Sequence, residues 1–142
     1  MAEIRDADTA AHEAAHVVVG LALGLRLRRA VVRRHTLAGV TYDGYALFTG
    51  GRHSAEALAL MHAAGVAHER AVGGLAVHAA ADFRAVREYA SSRRGVEALV
   101  VAAAAILAGR QREHARMTRA LLAHDLSGAD IRAICHSNFD AA

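Results

Sequence analysis

The sequence predicts a mainly α-helical fold that also contains a small β-hairpin or short sheet. Three features of the 142 residues indicate this class: there is no proline, about a quarter of the residues are alanine, and all 17 lysine or arginine positions hold arginine. Alanine, leucine and arginine lose little side-chain freedom in a helix, and no proline interrupts the backbone hydrogen bonds. At this length we expect one domain, residues 1–142.

The first helix is predicted over residues 8–23. Asp8 or Thr9 can cap its open N–H groups, and Gly24 can end it. Arginines then alternate with apolar residues over 26–34, and β-branched and aromatic residues stand between glycines over 39–48. This pattern is typical of two short strands, so we expect a small hairpin or sheet after the first helix.

The rest of the chain is predicted to be helical, with glycines between the helices. Ser54 can cap a second helix over 55–71 that ends before Gly73. A third helix is predicted from about residue 80 or 82 to 92, and one long helix over 96–124, where apolar residues recur with helical spacing. Ser127 and Asp130 form a capping signal for a short last helix that ends near residue 135.

Composition and charge exclude several classes of protein. The single cysteine, Cys135, cannot form an internal disulfide, which favours a reducing compartment. The first residues carry no basic-then-apolar leader, and the apolar runs are shorter than the roughly 20 residues of a membrane span, so we expect a cytoplasmic protein without membrane contact. The net charge of +3 comes from scattered arginines and only 4% of residues are aromatic, so we expect no nucleic-acid partner.

The sequence HEAAH at residues 12–16 matches the pattern HExxH and lies in the first predicted helix. Residues four apart lie on one helix face, about 5–6 Å from each other, so His12 and His16 can bind the same zinc ion. Glu13 can reach a water on that zinc without binding the metal itself. Because zinc lowers the pKa of such a water to about 7, Glu13 can act as general base for the attack on a carbonyl.

Two histidines leave the zinc ion one protein ligand short, because catalytic zinc sites usually have three. No histidine follows His16 at the spacing typical of metzincins, so the third ligand must be distant in sequence. His62 has no partner at metal-ligand spacing, and we expect it to be a solvated or packed side chain. The candidates for the third ligand are His68, Glu69, His78, Asp82, Glu88, His114, His124 and Asp125.

Five segments, in the same order and over nearly the whole chain, resemble the peptidase domain of FtsH-type zinc metalloproteases. They are HEAAH, GVTYDGYALF, AGVAHERAVGG, AADFRAVREYA and LLAHDLSGADIRAI. The resemblance implies that His12, His16 and Asp82 bind Zn²⁺ and that Glu13 is the catalytic base. It also implies that the strand around 39–45 is an edge strand, on which an extended peptide can pair through its backbone.

The chain departs from that family at several positions. Ala15 and Ala81 stand where the family commonly has glycine and asparagine, and LAVHAA replaces the usual loop before the aspartate. His78 precedes Asp82 by four residues and is therefore an alternative third ligand, or a group that braces Asp82. We expect neither the ATPase module nor the membrane anchor of that family in this chain.

These features favour a zinc metallopeptidase, a hydrolase that cleaves short peptides or unstructured segments, with Glu13 as general base and then proton donor. A separate ATPase chain that presents substrate, or a homo-oligomer formed through the long helix, is compatible with this interpretation. One alternative is a zinc-dependent hydrolase or tailoring enzyme with a small non-peptide substrate. The other is a non-catalytic regulatory module that binds a peptide along the hairpin edge.

Overall fold

The computed structural model describes residues 7–32, 35–37, 40–42, 44–48, 54–73, 80–90 and 93–140. These ranges form six helices and five short strands, which confirms the predicted mainly helical fold with a small sheet. The helices are α1 (Ala7–Ala22), α2 (Ala55–Val72), α3 (Ala80–Tyr89), α4 (Arg93–Ala108), α5 (Gln111–Ala123) and α6 (Gly128–Asp140). The strands are β1 (Leu27–Val31), β2 (His35–Leu37), β3 (Val40–Tyr42), β4 (Tyr45–Phe48) and β5 (Leu126–Ser127).

The strands form two antiparallel units instead of the single pair of strands predicted from the sequence. β1 lies between β4 and β5, and β2 pairs with β3 in a separate hairpin. The predicted strand over 39–48 is divided near Gly44. The backbone packs tightly at this glycine, because a Cβ there would lie 2.7 Å from the carbonyl oxygen of Val31. The edge strand expected around 39–45 is therefore not one strand: β3 lies in the hairpin, and β4 forms one edge of the three-stranded sheet.

Helix α1 packs between two apolar clusters. Val17 and Val18 face a cluster built with α5, α6 and the sheet, which includes Met117 and Leu121. On the other side, Val19 belongs to a cluster built with α2, α3 and α4. Because α1 is covered on both sides, it is buried almost continuously from residue 9 to residue 20, and the HExxH side chains lie inside the molecule.

The long helix predicted over 96–124 is in fact two helices. α4 ends at Ala108, and the chain turns at Gly109 and Arg110 before α5 begins. The N–H of Arg110 donates to the carbonyl of Leu107 at 2.9 Å, a three-residue bond that tightens the last turn of a helix. The turn allows α4 to pack on α2 while α5 packs on α1, and glycine, a poor helix former, is tolerated at such a break.

The predicted caps of α2 and α6 are present, but Asp8 and Thr9 lie inside α1, which begins at Ala7, and do not cap it. Some helix ends also differ from the prediction. Ser54 Oγ accepts the N–H of Ala57 at 3.1 Å, and Gly73 ends α2 with a φ of 68°, in the left-handed region that favours glycine. Ser127 Oγ accepts the N–H of Asp130 at 3.1 Å, and Asp130 Oδ2 accepts the N–H of Ser127 at 3.0 Å. The third helix ends at residue 89 instead of 92, and the last extends to residue 140 instead of 135.

No helix in the described part of the chain has both the length and the apolar content needed to cross a membrane.

We expect Leu121→Ala to lower the free energy of unfolding by about 2–5 kcal/mol, because it leaves a cavity in the cluster between α5 and α1. Leu121 is 0% exposed. Leu122→Ala, on the same helix but only partly buried, is the matched control and should lower the free energy of unfolding by a smaller amount. Denaturant unfolding of the three proteins measures the difference. Equal losses for the two variants would contradict the described packing of α5.

Candidate metal centre

The two histidines of the HExxH pattern lie on one face of α1 and point toward α2 and α3. His12 is 2% exposed and His16 is 5% exposed. Their ring centroids are 4.8 Å apart, and their Nε2 atoms are 3.1 Å apart. The four-residue spacing therefore places both imidazole nitrogens at one point, as helical geometry predicts.

Asp82 brings a third ligand atom to that point from the first turn of α3. Its Oδ2 lies 2.8 Å from His12 Nε2 and 3.0 Å from His16 Nε2. Ligands at about 2.0–2.1 Å from a tetrahedral zinc ion are about 3.3 Å from one another, so these separations are close to those of a shared ion. Among the described residues, His12, His16 and Asp82 form a group that could hold a metal ion.

Acceptors on the far side of both histidines favour a hydrogen on each Nδ1 atom. His16 Nδ1 lies 2.7 Å from the carbonyl oxygen of Met61, and a carbonyl can only accept. His12 Nδ1 lies 3.1 Å from Glu69 Oε1, a carboxylate acceptor. When both Nδ1 atoms donate, each neutral ring has its lone pair on Nε2. Two imidazole lone pairs and a carboxylate oxygen then meet at one point, an arrangement that suits a bound cation.

Glu69 was a candidate metal ligand in the sequence, and the structure gives it a different position. Its carboxylate accepts the hydrogen of His12 Nδ1 on the side of the ring away from Asp82. Metal-binding histidines commonly donate their second N–H to a carboxylate, which fixes the ring orientation and makes the ligating nitrogen more basic. Glu69 therefore orients His12 instead of joining the group of ligand atoms.

Gly65 of α2 lies against His12, His16 and Asp82, and its lack of a side chain leaves room for them. A Cβ at this position would lie 2.7 Å from His12 Cε1, 2.7 Å from His16 Cε1 and 2.8 Å from Asp82 Oδ2. No side chain fits there without displacing a ligand, so a glycine is required by the close approach of α2. This residue was not identified from the sequence, because its role depends on how α2 packs against α1 and α3.

Electrostatics in the centre favour a proton or metal on the imidazoles and a charged carboxylate. Burial opposes the charged form of His16, but the charge and hydrogen bond of Asp82, with Glu13 and the Met61 carbonyl, raise the pKa of His16 to about 9. Burial also favours a neutral Asp82, yet the charge of His16 and hydrogen bonds from His12, His16 and His62 hold the pKa of Asp82 well below its usual range.

Carboxyl groups surround the two imidazoles. Glu13 and Glu69 are both buried, and Asp82 is 9% exposed. Buried charges of one sign are costly unless a partner balances them. A cation bound by His12, His16 and Asp82 would lie among these carboxyl groups.

Glu13, the expected catalytic base, follows His12 on α1 and lies next to the start of β4. A Cβ on Gly44 would be 3.1 Å from Glu13 Cγ, so the backbone just before β4 runs against the Glu13 side chain. The carboxyl group is close enough to His16 to raise the pKa of that ring. Glu13 is therefore beside the group of ligand atoms and outside it.

The other candidate ligands from the sequence lie elsewhere or outside the described residues. The rings of His68 and His114 contact each other with centroids 5.0 Å apart, and His114 Nε2 donates to the carbonyl of Ala11 at 2.8 Å. Asp125 pairs with Arg29 at 3.1 Å. Three candidates remain. Glu88 is an exposed residue of α3, and His124 ends α5. His78 lies outside the described part of the chain.

The comparisons with known proteins give no family for this chain. No protein-family model matches it, and no curated protein gives a significant match.

We expect Gly65→Ala to abolish or strongly weaken metal binding, because the added methyl group would clash with both imidazole rings and with Asp82 Oδ2. Gly109→Ala is the matched control, since a Cβ there meets only ordinary contacts at 3.7 Å or more. Competition with a zinc-binding dye measures both affinities. Zinc affinity in Gly65→Ala equal to that of the native protein would contradict the assigned site.

Zinc affinity is expected to rise with pH up to about 9, where the pKa of His16 lies in the metal-free protein. Below that pH His16 carries a proton that the metal must displace, so the association constant should rise about tenfold per pH unit. Competition titrations between about pH 6 and pH 8, corrected for the dye's own protonation, test this slope. An affinity independent of pH would show that no proton leaves the site.

Proposed function

We propose that this chain is a zinc-dependent metallopeptidase that hydrolyses peptide bonds in short or unstructured substrates. One observation carries the proposal: the Nε2 atoms of His12 and His16 and the Oδ2 atom of Asp82 lie within 3.1 Å of one another, with both Nδ1 atoms engaged on the far side. Glu13, one residue from a ligand, supplies a carboxylate beside this group.

The donor set favours zinc or iron(II) over calcium and magnesium, and Glu13 in the HExxH pattern favours zinc between the two. Two imidazoles and one carboxylate are the protein ligands of several catalytic zinc sites, which keep a fourth position for water or substrate. Calcium and magnesium prefer oxygen ligands alone, and the group contains no thiolate. Zinc bound here would act as a Lewis acid that polarises a carbonyl and makes water acidic enough to react near neutral pH.

Glu13 is the group we assign to proton transfer. Its carboxylate would accept a proton from the attacking water and then deliver it to the leaving amine of the cleaved peptide. Its position supports this role, because the side chain lies beside the backbone of Gly44 and close enough to His16 to raise the pKa of that ring. A module that only binds peptides would gain nothing from a buried carboxylate held at this place.

Strand β4 favours a peptide over a small metabolite as substrate. It starts one residue after Gly44, whose backbone lies beside the Glu13 side chain, and it forms an edge of the three-stranded sheet in the described part of the chain. An extended peptide can add to such an edge through backbone hydrogen bonds. A segment bound in this way must expose its own N–H and C=O groups, which is why we assign unstructured substrates.

We expect Glu13→Gln to retain zinc and to lose peptide hydrolysis by about 10²–10⁴-fold, since the amide keeps the shape of the side chain but cannot accept a proton. The measurement is mass spectrometry of a mixture of short synthetic peptides incubated with each zinc-loaded protein. Glu88→Gln, an exposed glutamate on α3, is the matched control and should cleave as the native protein does.

Two results would contradict the proposal in different ways. A native protein that binds zinc but cleaves no peptide would favour a small non-peptide substrate or a binding module. Cleavage by Glu13→Gln at the native rate would remove Glu13 as the base, even if the protein is a peptidase.

A further inference from the structure

His62 lies at the rim of the metal centre, where the sequence predicted only a solvated or packed histidine. It belongs to α2, three residues before Gly65, and its side chain is 37% exposed. Its Nδ1 atom is 3.1 Å from Asp82 Oδ1, and its ring centroid is 6.2 Å from that of His16. His62 therefore contacts the carboxylate ligand directly while remaining open to solvent.

The two oxygens of Asp82 have different partners. Oδ2 faces His12 and His16, at 2.8 Å and 3.0 Å from their Nε2 atoms. Oδ1 faces His62, whose Nδ1–H donates to it. A carboxylate oxygen that accepts this hydrogen bond is less available to a metal ion, so Asp82 is restricted to binding through Oδ2 alone.

The binding mode of Asp82 matters for catalysis. A carboxylate that binds through both oxygens occupies two positions around a metal ion, whereas one oxygen leaves a position for water or substrate. Catalytic zinc sites require such an open position. A hydrogen bond to Asp82 Oδ1 would therefore keep a coordination position free for the water or substrate of hydrolysis.

We propose that His62 is a positioning residue that holds Asp82 in the one-oxygen binding mode and thereby keeps a coordination position open at the metal. The inference rests on the proposed metal centre. It assigns a role to a side chain outside the HExxH pattern and outside the set of metal ligands.

The first test compares zinc affinity in His62→Ala and His62→Asn by dye competition. His62→Ala removes the donor, and loss of such a hydrogen bond typically weakens metal binding by about 10–100-fold. His62→Asn is the matched variant, because its side-chain NH₂ group occupies nearly the position of Nδ1. We expect it to restore most of the native affinity. His124→Ala removes an exposed histidine next to Asp125. It controls for incidental zinc binding and should not change the zinc affinity.

The second test uses Co²⁺ in place of zinc, because cobalt absorbs strongly in the visible region when tetrahedral and weakly when its coordination number rises. We expect intense spectra from the native protein and His62→Asn, and a weaker spectrum from His62→Ala as Asp82 binds through both oxygens. If His62→Ala weakened the spectrum only by loosening the packing, His62→Asn would not show the native cobalt spectrum.

Three results would overturn the inference, and they are distinguishable. Equal zinc affinities and identical cobalt spectra for native protein and His62→Ala would leave the metal centre intact and remove the role of His62. Two zinc ions in the native protein and one in His62→Ala would make His62 a ligand instead of a positioning residue. A native protein that binds neither zinc nor cobalt would overturn the proposed centre and, with it, this role.

Discussion

The chemistry of the centre depends on two hydrogen bonds on the far side of the histidines. The carbonyl of Met61 and the carboxylate of Glu69 accept the Nδ1 hydrogens, so in the neutral rings both Nε2 lone pairs face Asp82. Without a cation, three electron-rich atoms would repel one another inside the protein, at a cost that burial increases. The raised pKa of His16 has a related cause, because the charge of Asp82 favours a proton on this buried ring.

Small residues bring the helices close enough for these bonds to form. Ala15 of α1 and Ala63 and Ala64 of α2 are fully buried where the two helices pack, and Gly65 follows directly. Larger side chains here would push α2 away from α1 and separate Met61 from His16. The high alanine content that first indicated a helical protein therefore has a second consequence, because it permits the packing that assembles the centre.

Local patterns in the sequence predicted some features well, and features that depend on tertiary packing were missed. The spacing of His12 and His16 is a property of one helix, and the resemblance to a peptidase family suggested Asp82, which the structure brings to both. Gly65 and His62 gave no local signal, because their roles exist only once α2 lies against α1 and α3. The break between α4 and α5 was missed because Ile106 and Met117 are spaced as on one helix face, although Gly109 between them could have indicated the turn.

We propose that the centre binds one ion through two imidazoles and one carboxylate. X-ray absorption spectroscopy at the zinc edge of the zinc-loaded native protein tests it most directly, because imidazole rings add characteristic scattering beyond the nearest ligand atoms. We expect one zinc per chain, two imidazole nitrogens at about 2.0–2.1 Å and oxygen ligands at about 2.0–2.2 Å. A spectrum without imidazole scattering, or one dominated by sulfur at about 2.3 Å, would contradict the site formed by His12, His16 and Asp82.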